Sequence, residues 1–469
     1  MRTLRLLGCL AALATLLPAQ IDWSQVEAET LTHFLAILRI PSVNPPAAGT
    51  IGETAVAEYL QKVLAKEGIE ARILAMEPGR ANLIARLKGN GKKRPLLIAG
   101  HTDVVGVQRE KWKTDPFAPV RQDGYIIARG ASDDKNHVVA GLMTMLLLKR
   151  QKVALDRDII FVAEAGEESF WEGGMRYLVA KHWPELEAEY CLAEGGGGML
   201  RAGLPVTVTV AATEKTPRGV KLIARGVAGH GSVPRPDNAI GHLSRAVTRV
   251  VEWLPPMAMN DVTRTYFERL SLVAKPEDVA RFNGLFDPAK RAEVEQYMKQ
   301  KDLIHNSMLR TSISPTMFTA GFRSNVIPSE AEAYLDIRAV PGEDIDKFYA
   351  EMKRIIGDDS IEIVPQQAHN LTAPPSQLGN EMYRVLDAAV KKTYGPKVVT
   401  IPTMLTGGTD MTPLRAKGMQ CYGVGPLLAE RDMQDMNGIH GDNERILEAE
   451  LYRFIRFQWE AVQGIAAAR

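Results

Sequence analysis

Leu96-Leu97-Ile98-Ala99-Gly100-His101-Thr102-Asp103 is an unbroken apolar run that ends on a histidine and an acid. A short stretch with no polar position suits a strand covered on both faces, as in a sheet layered between helices. The same texture recurs on either side. Residues 82–87, 159–163 and Tyr190–Ala193 read as further apolar strands, and helices are expected over 26–38, 54–67 and 138–149. Pro41 ends the first helix and Gly68 closes the second, in which Val56, Leu60, Val63 and Leu64 form one apolar face at helical spacing. Strands alternating with helices specify an α/β sheet.

Near Thr213 the pattern changes. Val220–Arg225 reads as a strand, 239–253 as a helix, 331–337 as a strand, 344–356 as a helix and 361–364 as a strand. That order is compatible with an α+β sandwich of ferredoxin-like type, interrupted by a mostly polar, partly helical insertion at 260–309. After Pro374 and Pro375 the α/β texture returns, with helices expected over 382–394 and from 446 to about 462. The chain is therefore divided into a leader (1–20), the first part of an α/β domain (21–214), an inserted domain (215–368) and the second part of the first domain (369–469).

A length of 469 residues favours more than one core, and 45% apolar with 24% charged residues is an ordinary globular composition. The formal net charge of +1, without long basic or acidic runs, gives no field that would favour nucleic acid or an anionic membrane. Arg2 and Arg5 precede an apolar run over 6–17, followed by Pro18, Ala19 and Gln20. This is the layout of a signal peptide, so export to a periplasmic or extracellular space is expected, with no stable membrane span after its removal. Leu6-Leu7-Gly8-Cys9 also resembles a lipoprotein cleavage box, although most of the apolar run follows Cys9. Cys191 and Cys421 remain; they could pair in an oxidising compartment, but their apolar strand-like surroundings favour two buried free thiols.

The chemistry-bearing residues cluster at the ends of strands and in loops. His101 and Asp103 fall on one side of an extended chain, at the carboxyl end of a strand, where open α/β sheets bind ligands. Alone, such a pair is equally a satisfied loop histidine with a neighbour. Arg129-Gly130-Ala131-Ser132-Asp133-Asp134-Lys135 presents carboxylates just before a helix, where either aspartate could serve as an N-cap. Ala165-Gly166-Glu167-Glu168 places two acids after a strand, a solvated pair or a pair needing a cation. Glu194 ends another strand before four glycines, and His440 lies in Asn437-Gly438-Ile439-His440-Gly441-Asp442-Asn443-Glu444. Two histidines with several carboxylates form a donor set suited to two zinc ions bridged by a carboxylate.

These motifs resemble the di-zinc metallohydrolases that include aminoacylase, glutamate carboxypeptidase, yeast carboxypeptidase S, carnosinase-type dipeptidases and succinyl-diaminopimelate desuccinylase. The likeness runs from Pro41-Ser42-Val43-Asn44 to the last helix and is most specific over 112–135, where Asp115-Pro116-Phe117, Asp123-Gly124 and the Arg129–Lys135 string keep the family's order. The resemblance implies a zinc-peptidase-like catalytic domain with a mixed sheet flanked by helices, interrupted by an inserted α+β ferredoxin-like lid and dimerisation domain. It implies that His101, Asp133 and Glu194 hold one Zn2+, that Asp133, Glu168 and His440 hold the other, and that Co2+ or Mn2+ are substitutes. Asp103 would orient His101, and Glu167 would act as the general base on the attacking water.

In the inserted domain, Gly229-His230-Gly231-Ser232 looks like the family's histidine loop, implying that His230 stabilises the oxyanion in a neighbouring subunit of a homodimer. Asn325 and Arg338 match positions that bind the substrate carboxylate. Gly408 and Thr409 match a loop lining the same pocket, although Gly407-Gly408-Thr409-Asp410 is equally a plain glycine turn. The implied substrate is a small peptide or N-acyl amino acid cut next to a free carboxylate. Glu194 followed by Gly195-Gly196 looks closest to the carboxypeptidase S and N-acyl-amino-acid hydrolase branch.

Some positions depart from the pattern. Gly166 stands where many members carry aspartate, Ala128 replaces a common glycine, and Asn136-His137 replace small residues; His137, on the first turn of a helix, reads as a surface residue. A non-catalytic scaffold that kept the fold is the competing class, and it would be expected to have lost ligands. A nucleophile-based hydrolase is disfavoured because Gly229–Ser232 lacks the G-x-S-x-G elbow.

Overall fold

A computed structural model describes residues 20–45, 52–366 and 371–468. Residues 1–19 of the expected leader, Cys9 among them, lie outside these.

The central feature is a ten-stranded mixed sheet. Its strands run in the order Ala71–Glu77, Arg80–Leu87, Ile159–Glu164, Leu96–His101, Tyr190–Ala193, Gln420–Gly423, Leu204–Glu214, Gly197–Arg201 and Leu428–Ala429, and Val399–Leu405 pairs in parallel with Leu204–Glu214. The four strands around Leu96–His101 are mutually parallel, so their carboxyl ends open on one edge of the sheet. Alternate side chains face opposite layers, as the period of a strand requires. Leu96 and Ile98 pack with residues of the helices Trp23–Leu38, Lys135–Arg150 and Glu448–Ala466. Leu97 and Ala99 face Met175, Leu178, Met411 and Leu414 of the short helices Met175–Lys181 and Met411–Ala416. Cys191 and Cys421 stand opposite one another in register, and both are buried free thiols.

The second sheet is antiparallel: Val220–Arg225 lies between Glu330–Ala339 and Ile361–Pro365, and Ser312–Ala320 pairs with Glu330–Ala339. Apolar residues alternate inward along Glu330–Ala339 and pack against the helices Ala239–Glu252 and Ile345–Ile356. Ser312–Ala320 is an edge strand with Met317 and Phe318 exposed.

Two expectations need correction and a third gains detail. The stretch 260–309, expected to be partly helical, forms the helices Asp261–Leu270, Pro276–Gly284, Arg291–Lys301 and Leu303–Met308 around a small core of Phe267, Phe282, Leu285, Val294, Met298 and Leu309. Its apolar residues are thinly spread over short helices, which dilutes the periodic signal. The first of these helices lies against Val399–Leu405, and Arg269 Nη1 donates to the Thr400 carbonyl at 2.7 Å. The last helix starts at Glu448, because Arg445–Leu447 is a strand paired with Tyr125–Ile127. His137 is buried, its Nε2 2.8 Å from the Val424 carbonyl oxygen and its Nδ1 against Asp134.

Candidate active site

Four of the expected metal-binding side chains form a chain of short contacts. His101 Nε2 lies 2.9 Å from Asp133 Oδ1, and His440 Nε2 lies 3.1 Å from Asp133 Oδ2 and 3.0 Å from Glu168 Oε2. Glu167 and Glu194 join from the other side: His101, Glu167 and Glu194 have donor atoms within 4.8 Å of one another, as do His101, Asp133 and Glu168. His101, Glu167, Glu168 and Glu194 come from the carboxyl ends of the parallel strands or the turns just after them, which is why they converge although they are far apart in sequence.

The supporting hydrogen bonds run through Asp103 and through two residues without an expected role, Asn44 and Glu444. Asp103 receives the amides of Glu167 and Glu168 at 3.2 and 3.1 Å and the Asn44 side-chain amide at 2.8 Å, and it lies 3.4 Å from His101 Nδ1. Its carboxylate thus fixes the glutamate turn as well as facing the imidazole. Gly166 makes that turn with φ +80°, and a Cβ there would meet the Phe170 carbonyl oxygen at 2.4 Å. That geometry explains glycine at this position.

Glu444, four residues after His440, is fully buried and accepts from Arg129 Nη1 at 2.7 Å and from the amides of Gly130, Ser132 and Asp133 at 3.0, 2.7 and 3.0 Å. One carboxylate therefore fastens the loop bearing Asp133 to the loop bearing His440. Asp134 occupies the N-cap position of Lys135–Arg150 without a side-chain capping bond; its Oδ2 accepts from the His101 amide at 3.2 Å. Lys135 is buried and donates to the carbonyls of Ile37 and Ile40, while burial brings its amine down to about 7.

The electrostatics call for cations. Burial pushes the Glu167, Glu168 and Glu194 carboxyls up, and the neighbouring carboxylates reinforce the shift. His440 is held up at about 10 by its hydrogen bonds to Asp133 and Glu168. For His101, burial acts downward, but hydrogen bonds to Asp103 and Asp133 hold the imidazole above its ordinary value. Protonated imidazoles partly offset the acids in this arrangement, a role that divalent cations would fill more completely. The oxygen and nitrogen donors, their spacing and the excess of buried carboxylate fit such ions.

Beside the cluster opens a cleft lined among others by Glu167, Trp171, Arg176, Arg338, Gly408, Thr409 and Asp410. Glu214 shapes this wall: it accepts from Thr409 Oγ1 at 2.6 Å, from Thr412 Oγ1 at 2.5 Å and from Arg415 Nη1 at 2.8 Å. Arg338 comes from the second sheet, with Asp336 holding its Nε at 2.9 Å. His230 and Asn325 do not line the cleft. They lie together in an exposed pair of loops, where the Gly231 amide donates to the Asn325 carbonyl at 2.8 Å and His230 Nδ1 sits 2.7 Å from Ser232 Oγ.

The profile described as peptidase family M20/M25/M40 matches residues 97–463. The chain belongs to this peptidase family. It is similar to the probable carboxypeptidase S-like 2 of Dictyostelium discoideum, 29% identical over 381 residues, covering 79% of this chain and 72% of that protein. It is also similar to the N-fatty-acyl-amino acid synthase/hydrolase PM20D1 of Xenopus tropicalis, 27% identical over 439 residues, covering 91% of this chain and 84% of that protein. In fold it resembles the M20 family metallo-carboxypeptidase Sso-CP2 of Sulfolobus solfataricus, with a TM-score of 0.68, 21% identity, and coverage of 93% of this chain and 98% of that one. The family and fold expected from the sequence are thus borne out, and the protein is a metal-dependent hydrolase of the M20 class.

Proposed function

We propose that the protein hydrolyses a peptide or N-acyl amide bond adjacent to a free carboxylate, using two Zn2+ ions and Glu167 as general base. The observation that carries this reading is the meeting of His101, Asp133, Glu167, Glu168, Glu194 and His440 beside a cleft that also holds Arg338. His101, Asp133 and Glu194 are assigned to one ion, and Asp133, Glu168 and His440 to the other, with Co2+ or Mn2+ as substitutes. When bound, such ions supply Lewis acidity to the attacking water and to the amide carbonyl.

Glu167 accepts the proton of that water and returns it to the leaving nitrogen. Burial raises the proton affinity of its carboxylate, which suits a group that takes the proton and then hands it on. Asp103 keeps the Glu167–Glu168 turn and His101 in place. Arg338, steadied by Asp336, receives the substrate carboxylate through its remaining N–H groups, and the Gly408–Thr409 backbone closes that side.

His230 and Asn325 are assigned to the site of a second copy in a homodimer. Their exposed position away from this chain's own cluster and the exposed edge strand Ser312–Ala320 support that assignment. Export rests on the Arg2/Arg5 and apolar 6–17 pattern alone. Among the described residues, no helix is long and apolar enough to cross a membrane.

The decisive experiment is Glu167→Gln, assayed on a panel of dipeptides and N-acyl amino acids with a chelator control. The variant should keep two ions by metal analysis and lose at least ~100-fold in kcat. Retained turnover with both ions present would exclude Glu167 as the base.

A further inference from the structure

We infer that the cleft selects substrates carrying a second carboxylate, and that Arg176 is the residue that receives it; the inference rests on the amide-hydrolase reading above. Two guanidinium groups line this one cleft, and they come from different parts of the fold. Arg338 belongs to the second sheet and serves the carboxylate next to the scissile bond. Arg176 belongs to the catalytic sheet's outer layer, in the helix Met175–Lys181, and its guanidinium lies 5.3 Å from the centre of the Trp171 ring.

A cation–π contact with an aromatic ring helps to hold a guanidinium in place while leaving its N–H groups free to form a fork. Among the described residues, no hydrogen bond or ion pair engages the Arg176 guanidinium, although the residue is half-buried. The nearby acid Asp410 attracts this guanidinium but forms no hydrogen bond or ion pair with it, which leaves the N–H fork open to an incoming anion. An unmatched guanidinium in a partly dry cleft is satisfied by an anion and penalised by an apolar group. Trp171, Pro217, Leu371 and Pro413 form the apolar part of the wall, which limits water and strengthens a charge-assisted bond.

The second carboxylate can sit on the side chain of the released amino acid or on the acyl group. Two substrate pairs separate these sources: N-acetyl-L-glutamate against N-acetyl-L-glutamine, and N-succinyl-L-leucine against N-butyryl-L-leucine. In the zinc-loaded protein, one of the dicarboxylates should exceed its neutral counterpart in kcat/KM by about 10- to 100-fold, mainly through KM, as one charge-assisted contact provides. Arg176→Gln should bring that ratio close to one, and Arg176→Lys, which keeps the charge but loses the fork, should retain part of it. An unchanged ratio in Arg176→Gln, or no preference in the wild type for either dicarboxylate, overturns the inference. Hydrolysis of no amide at all would sink the amide-hydrolase reading instead. Calorimetry of glutarate against butyrate binding to the same zinc-loaded proteins then decides the anion site separately: a glutarate preference lost in Arg176→Gln sustains it, and equal binding overturns it.

Discussion

Replacing Glu444 by glutamine should cost more than any surface change and should be felt at the metal centre. The carboxylate accepts four N–H bonds at 2.7–3.0 Å, one of them from the buried Arg129 guanidinium. Glutamine keeps one accepting oxygen and turns an NH2 group towards two of the four donors, so two bonds are lost and the guanidinium loses its counter-charge. Two bonds to a charged group at about 1.5–3 kcal/mol each give roughly 3–6 kcal/mol. Breaking a buried ion pair from one side independently gives about 3–5 kcal/mol. The two figures overlap, and a loss of about 3–5 kcal/mol is expected in urea unfolding of the metal-free protein followed by tryptophan fluorescence. Because the Asp133 amide is one of the four donors, metal analysis of the variant should also show fewer than two tightly held ions. A variant within about 1 kcal/mol of wild type that still holds both ions would refute the role of Glu444 in setting the Asp133 loop.

Three further outcomes test other parts of the site. Gly166→Ala forces a side chain into φ +80° and against the Phe170 carbonyl oxygen, so it should destabilise by about 1–3 kcal/mol and lower kcat by displacing the glutamate turn; unaltered kcat and melting would contradict this. In the metal-free protein His440 is held up at about 10 and His101 above its ordinary value, so ions must displace protons and apparent affinity should rise as pH increases from about 6 to 10. Calorimetry at pH 7 in two buffers of different ionisation enthalpy should register proton release, and none would refute the assignment. Mixed subunits of inactive His230→Ala and inactive Glu167→Ala should recover activity if His230 serves a partner's site; failure despite demonstrated subunit exchange would argue against it.

The sequence was most readable where burial is complete. Leu96–His101, Ile159–Glu164 and Tyr190–Ala193 are buried throughout, so their uninterrupted apolar character marked them out. Ala71–Glu77 and Ser312–Ala320 escaped because they are largely exposed and carry no clean alternation. The site residues were legible as strand-end acids and histidines, made specific by the family's order of motifs. His137 reads locally as a surface residue because the carbonyl facing its ring belongs to Val424, 287 positions later, and nothing local announces that partner. Glu444 and Asn44 stand within recognisable motifs, but their work lies in backbone amides and a carboxylate that only the fold brings near.

The small helical insertion has a mechanical consequence. The chain passes from the first sheet to the second after Glu214 and back before Ser376, and two such crossings alone would define an axle about which one part could swing. Asp261–Leu270, seated on Val399–Leu405 with Arg269 bonded to Thr400, adds a third anchorage off that axle, and Met308, Val340 and Met404 pack beside it. Three anchorages make a tripod, so Arg338 is carried on a part of the fold braced against the first sheet and not merely hung from two connecting strands.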